Sequence, residues 1–112
     1  MVTQMKKIII SALLMLSCSA NAAFFSGNDL LNRMTSNDTG ERMLAMGYVA
    51  GIFDALDGTA FCTGGRGITL GQLKDIVMKK LQNFPESRHL TADNFVYVAL
   101  SEAFPCKKKK AS

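Results

Sequence analysis

The 112-residue chain predicts an all-α fold, a compact bundle of about four helices with one disulfide. Three observations lead to it. Apolar residues recur at helical spacing in several segments, and no segment alternates as a half-buried strand does. Asp38 with Glu41, and Thr69 with Gln72, each set a capping side chain three residues ahead of its partner. Two cysteines, Cys62 and Cys106, remain once the leader is set aside.

The leader occupies residues 1–22. Lys6 and Lys7 precede an apolar run, residues 8–16, broken only by Ser11. Ala20-Asn21-Ala22 then offers a small-x-small cleavage site. That order predicts a secretory signal peptide removed on export, and its apolar run is too short to span a bilayer. Met15-Leu16-Ser17-Cys18 offers a second route, a lipoprotein through Cys18, although Leu16 fits a lipoprotein box poorly.

Three cysteines are an odd number for an exported chain. Removal or lipidation of Cys18 leaves one pair, Cys62 and Cys106, which an oxidising compartment should join. Two buried free thiols are the alternative. In the chain-entropy account a bridge of this span stabilises by about 4 kcal/mol. That matters to a domain of about 90 residues, whose core is marginal.

The formal charge of +4 misleads about the folded body. Residues 23–106, the expected domain, hold seven basic and nine acidic side chains, a balance near −2. Residues 107–112 form a basic C-terminal tail with four lysines. The body has no dense Lys/Arg face interleaved with aromatics, so nucleic-acid binding is unsupported. The tail reads as a solvated end, with weak attraction to an anionic envelope surface as the sharper reading.

The first helix is short, around residues 28–34, with Ser26 or Asn28 as its cap and a break at residues 36–40. The second opens after Asp38 and stops at Asp57-Gly58. Residues 59–69 form a glycine-rich loop around Cys62. The third opens at Thr69, carries Leu70, Leu73, Ile76, Val77 and Leu81 at helical spacing, and is ended by Pro85. The fourth opens at Thr91, with Asp93 in its first turn, and Phe104-Pro105-Cys106 closes the domain.

The second helix raises a question. From residue 43 to residue 56 it is apolar except at Asp54, yet it keeps Gly47 and Gly51. Each glycine costs a helix about 1 kcal/mol relative to alanine. Gly47, Gly51 and Ala55 fall at i, i+4 and i+8, a smooth strip along which another helix can approach closely. A helix apolar nearly all round is expected to be buried, by its own domain, by a second subunit, or by both.

Few residues suggest chemistry. Asp54 and Asp57 stand three apart, but no third ligand accompanies them. The plainer reading makes Asp57 a helix stop and Asp54 a cap or an arginine partner. His89, the one histidine, reads as a surface or capping group beside Arg88. A catalytic dyad would need a free cysteine, which the expected bridge removes. Cys62-Thr63-Gly64-Gly65-Arg66-Gly67 lacks the Gly-Lys-Ser/Thr ending of a phosphate loop and reads as a flexible turn held by the disulfide. Met34, Met43, Met46 and Met78 read as core filler. No catalytic constellation, metal set or cofactor motif emerges, so an exported binding protein is expected, not an enzyme.

In order and spacing, "GYVAGIFDAL", "FC" with a glycine-rich turn, "GITLGQLKDIVMKKL", "PESRHL" and "ALSEAFPC" resemble the Rap/Tai family of periplasmic immunity proteins of type VI secretion. The resemblance covers nearly the whole mature chain. It implies a small, helical, disulfide-bonded protein, often a homodimer. Such a protein blocks a toxin that sibling cells deliver into the periplasm, for one branch a peptidoglycan amidase. It carries over Cys62 and Cys106 as the bridge. It also carries over Gly47, Tyr48, Gly51, Asp54, Gly71, Gln72, Pro85, Arg88 and Pro105 as framework positions. Two departures stand out. Many members have a further cysteine pair near the positions of Met34 and Ala45, and a proline soon after the first bridge cysteine. Here Thr63-Gly64-Gly65-Arg66 replaces that neighbourhood.

The functional expectation is an immunity protein that occludes the toxin's active-site cleft with exposed loops, residues 63–68 and 86–90. Arg66, Arg88 and His89 are the expected polar contacts. A small periplasmic acid-stress chaperone is the alternative. An enzyme using Asp54, Asp57 and His89 ranks last.

Overall fold

Helix α1, Gly27–Met34, starts where Ser26 makes a complete capping box. The Asp29 amide donates to the Ser26 hydroxyl at 3.1 Å, and the Ser26 amide donates to the Asp29 carboxylate at 3.0 Å. The computed structural model describes residues 24–107. The expected signal peptide, Cys18 and the lysines at 108–110 lie outside the described residues.

Helix α2, Thr39–Leu56, opens on Asp38, whose carboxylate accepts from the Glu41 amide at 3.0 Å. The capping box stays half-made, because Glu41 pairs with Arg33 of α1 instead. Arg33 also lies over the Phe25 ring, 4.8 Å from its centroid, and Phe25 meets Tyr48 edge-on at 5.1 Å. One ion pair and two aromatic contacts thus set the α1–α2 joint.

Helix α3, Leu70–Asn83, has the full box expected of Thr69 and Gln72, with bonds of 3.1 and 2.7 Å. A 3-10 turn, Pro85–Ser87, leads out of it. Helix α4, Ala92–Ala103, follows Thr91, whose side chain makes no capping bond. The described residues contain no named strand.

All four helices contribute to one core. Leu30, Met34, Val49, Val77, Leu81 and Leu100 are buried side by side, with Phe61 reaching in from the α2–α3 loop. Met34 and Ala45 are both buried in that core. The disulfide joins Cys62 to Cys106, with Cα atoms 4.8 Å apart, and the Cys62 amide donates to the Phe104 carbonyl at 2.8 Å. Loop and chain end are therefore fastened together beneath the last turn of α4.

The expected burial of α2 holds on one side only. Ala45 and Val49 are buried, whereas Gly47, Gly51 and Ala55 are exposed. At about 100° per residue, Gly47 and Gly51 come round to the side opposite that core contact. Among the described residues, nothing lies within 4 Å of a Cβ built on either glycine. No helix among the described residues occupies the strip. Met43 likewise departs from the core-filler expectation, being 69% exposed.

Candidate partner-binding surfaces

Three surfaces stand clear of the core, one at each end of α4 and one along α2. At the C-terminal end of α4 lies the loop of residues 62–67. Thr63 is 2% exposed and anchors it. Its amide and hydroxyl donate to the two Asp57 carboxylate oxygens at 3.0 and 2.7 Å. These bonds, the side-chain one first, hold the Asp57 carboxyl below its ordinary pKa. Arg66 Nε donates to the Thr63 carbonyl at 2.8 Å, and its guanidinium lies 5.4 Å from the Phe104 ring centroid. Gly64 and Gly65 have φ of +64° and +75°, which side chains rarely adopt. The expected flexible turn is instead a loop pinned by Asp57 as well as by the disulfide. Sequence reasoning missed Thr63, since a lone threonine six residues past an aspartate carries no motif.

At the N-terminal end of α4, residues 88–90 receive α1. The Gly27 amide donates to the Leu90 carbonyl and the Asn28 amide to the Arg88 carbonyl, both at 2.8 Å. These carbonyls satisfy amides that the first turn of a helix leaves unpaired. Arg88 is half-buried, and its Nε is buried without a hydrogen-bond partner among the described residues. His89 is exposed.

Arg66 and the pair Arg88–His89 therefore sit at opposite ends of α4. Twelve residues separate those ends, a rise of about 18 Å. They form two patches, not one. Asp57 and His89 are divided in the same way. Asp54 is exposed on α2 and makes neither the capping nor the arginine bond expected of it among the described residues. No three His, Cys, Asp or Glu among the described residues gather as a metal would require.

The third surface is the bare side of α2. One flank is a cavity of about 410 Å³ lined by Met34, Met43, Met46 and Leu70, with Arg42 and Lys74 beside them. The other is a groove of about 810 Å³ bounded by Tyr48, Ile52, Ala55 and, from α4, Asn94 and Tyr97. Burial, and secondarily the Asp93 charge, raises the pKa of the Tyr48 phenol there. Met43, Leu44, Leu70 and Tyr97 are 69, 51, 48 and 45% exposed. Contiguous apolar surface of this kind marks an interaction site more often than isolated exposed residues do. No helix among the described residues is long and apolar enough to cross a membrane.

The comparison with curated proteins gives no match. The family model described as Rap1a immunity proteins matches residues 26–106. That span runs from the Ser26 cap to the second bridge cysteine and takes in every helix of the described residues, so the chain belongs to the Rap1a immunity protein family.

Proposed function

We propose that the exported chain works in the periplasm, where it binds and occludes a peptidoglycan amidase delivered by type VI secretion. The family membership carries this reading. The fold is consistent with it, since rigid loops at both ends of α4 rest on a disulfide-tied helical core. Occlusion needs a preformed loop that enters the toxin's cleft without reorganising. The 62–67 loop, fixed through Asp57, and the 86–90 segment, fixed through α1, each meet that need. Arg66 is the polar contact proposed at one end, and Arg88 with His89 at the other. Alanine at all three should weaken toxin affinity. Unchanged affinity by calorimetry would remove both patches from consideration, and the single variants tell which end is used.

A homodimer accompanies this reading. The bare side of α2 is smooth at Gly47 and Gly51 and carries exposed apolar side chains, and a two-fold interface would set this patch against its own copy. The same surface favours the alternative of a small periplasmic chaperone, because exposed Met43, with half-buried Met46 beside it, can adapt to varied apolar clients. The separating experiment grows a deletion strain in contact with its toxin-competent parent. Immunity predicts selective killing of the deletant, rescued by the exported protein. Equal survival beside a demonstrably active secretion system, with protection of unrelated proteins from acid aggregation, would favour the chaperone.

A further inference from the structure

The apolar stretch of α2 keeps one charged residue, Asp54, and the fold leaves that charge unanswered. Asp54 is exposed and enters neither of the two ion pairs among the described residues. Two cations nearby are in the same condition. Arg42 and Lys74 border the hollow of about 410 Å³ whose walls include Met43, Met46 and Leu70, and no carboxylate lines it. The acidic groups close to its mouth are engaged: Glu41 pairs with Arg33, and the Asp38 carboxylate accepts from the Glu41 amide. The Arg42 guanidinium is fixed at the rim, donating to the Ser36 carbonyl at 2.7 Å and to the Thr39 hydroxyl at 3.1 Å. Arg42 and Asp54 are separated along α2 by a rise of about 18 Å, so they cannot meet within one chain. Met43 and Asp54 return to within about 20° of each other around the helix, so the lone carboxylate and the basic hollow share one flank of α2.

We propose that a second copy of this chain occupies the hollow's mouth, in an antiparallel α2–α2 contact that pairs Asp54 of each copy with Arg42 and Lys74 of the other. This rests on the homodimer reading and adds to it the direction of the helices and the polar contacts. A two-fold axis across the middle of α2 reverses the helix and sets each flank against its own copy. Arg42 and Asp54 lie on either side of the midpoint between Gly47 and Gly51, about 10 Å and about 7 Å along the helix. Reversal therefore brings them nearly opposite, with an offset of about 3 Å that an arginine side chain spans. A parallel contact would instead set Asp54 level with Asp54 and Arg42 level with Arg42, and like charges repel. Arg42 is already held by two bonds, so it loses little freedom on pairing. The methionine walls adapt to the side chains that flank the incoming carboxylate.

The test is sedimentation equilibrium of the mature chain and of two charge-reversed variants, Asp54→Lys and the double Arg42→Glu, Lys74→Glu. Wild type should dimerise. Each variant alone should associate about ten-fold more weakly or worse, since two-fold symmetry repeats every reversed contact. An equimolar mixture of the two variants should regain the wild-type affinity, because both contacts then join opposite charges. Mixing does not rescue a misfolded chain, so this recovery separates lost charge pairing from lost fold. Circular dichroism of each variant should match wild type. A wild-type dimer that neither variant weakens, or a mixture that associates no better than its components, would overturn the proposal while the homodimer stands. A wild-type chain that stays monomeric at every concentration would overturn both.

Discussion

Two sets of glycines in this molecule do opposite things. Gly47 and Gly51 have the spacing of a helix-packing strip, yet open space surrounds them. Gly27 has no such pattern, yet it is the glycine that a close contact demands. A Cβ there would lie 2.8 Å from Phe95 Cε2 and 3.0 Å from the Arg88 carbonyl oxygen. It is also the first residue of α1, where its amide bonds to Leu90. Spacing reveals that a surface is smooth. Only the fold reveals whether anything has come to rest on it.

Gly27→Ala should therefore have the largest effect on the fold. Phe95 is buried, and the other obstacle is backbone, so neither retreats cheaply. Overpacking of this kind costs about 1–3 kcal/mol. In a domain of this size each kcal/mol lowers the melting temperature by about 4–8 °C. Thermal melts followed by circular dichroism read this directly, and an unchanged melt would show that α1 can slide on α4.

Gly51→Leu sharpens the other half of the contrast. In the single chain the new side chain enters open space, so the fold should survive. In the proposed dimer it stands at the centre of the contact. Association should weaken at least ten-fold, about 1.4 kcal/mol, as measured by sedimentation equilibrium. A variant that folds and associates like wild type would place the dimer contact elsewhere or remove it.

The contrast also shows where sequence reasoning reached. The caps at Asp38 and Thr69 and the bridge were legible, because each depends on residues near in sequence or on a single possible pairing. The four helices followed from periodicity. The strip was legible as a strip, but its partner was not, since helical spacing says nothing about what faces it. Thr63 and Gly27 were invisible for the same reason. Their importance comes from Asp57 and Phe95, brought near by the fold. The separation of Arg66 from Arg88 and His89 needed the direction of α4.

Acid should distinguish the docked start of α1 from the rest of the chain. Asp29 has its pKa lowered, first by the Ser26 amide and then by the Ser26 hydroxyl. Asp57 is lowered through Thr63. A depressed folded pKa contributes stability that is present above the unfolded value, about 3.9. That contribution is lost as pH falls through the lower folded value. Stability from these groups should hold near neutrality and decline below about pH 4. Asp29→Asn should flatten the part owed to α1, and Asp57→Asn the part owed to the loop. A decline as steep in both variants as in the wild type would assign acid sensitivity to other groups.

The smallest effect is the most discriminating. Gly47→Ala and Gly51→Ala each replace a helical glycine by the best helix former, with nothing within 4 Å to obstruct the methyl group. Within one chain this should stabilise by about 0.5–1 kcal/mol per site. Between two chains packed along the strip, the same methyl groups hold the helices apart and weaken the contact. One substitution should then move folding and association in opposite directions. Melting at low protein concentration should rise, while the dimer dissociation constant, measured separately, also rises. If stability and association increased together, the strip would be a surface that gains from added apolar area, and close helix approach would not be why glycine stands there. If neither changed, the two glycines would lack any role in packing, within the chain or between chains.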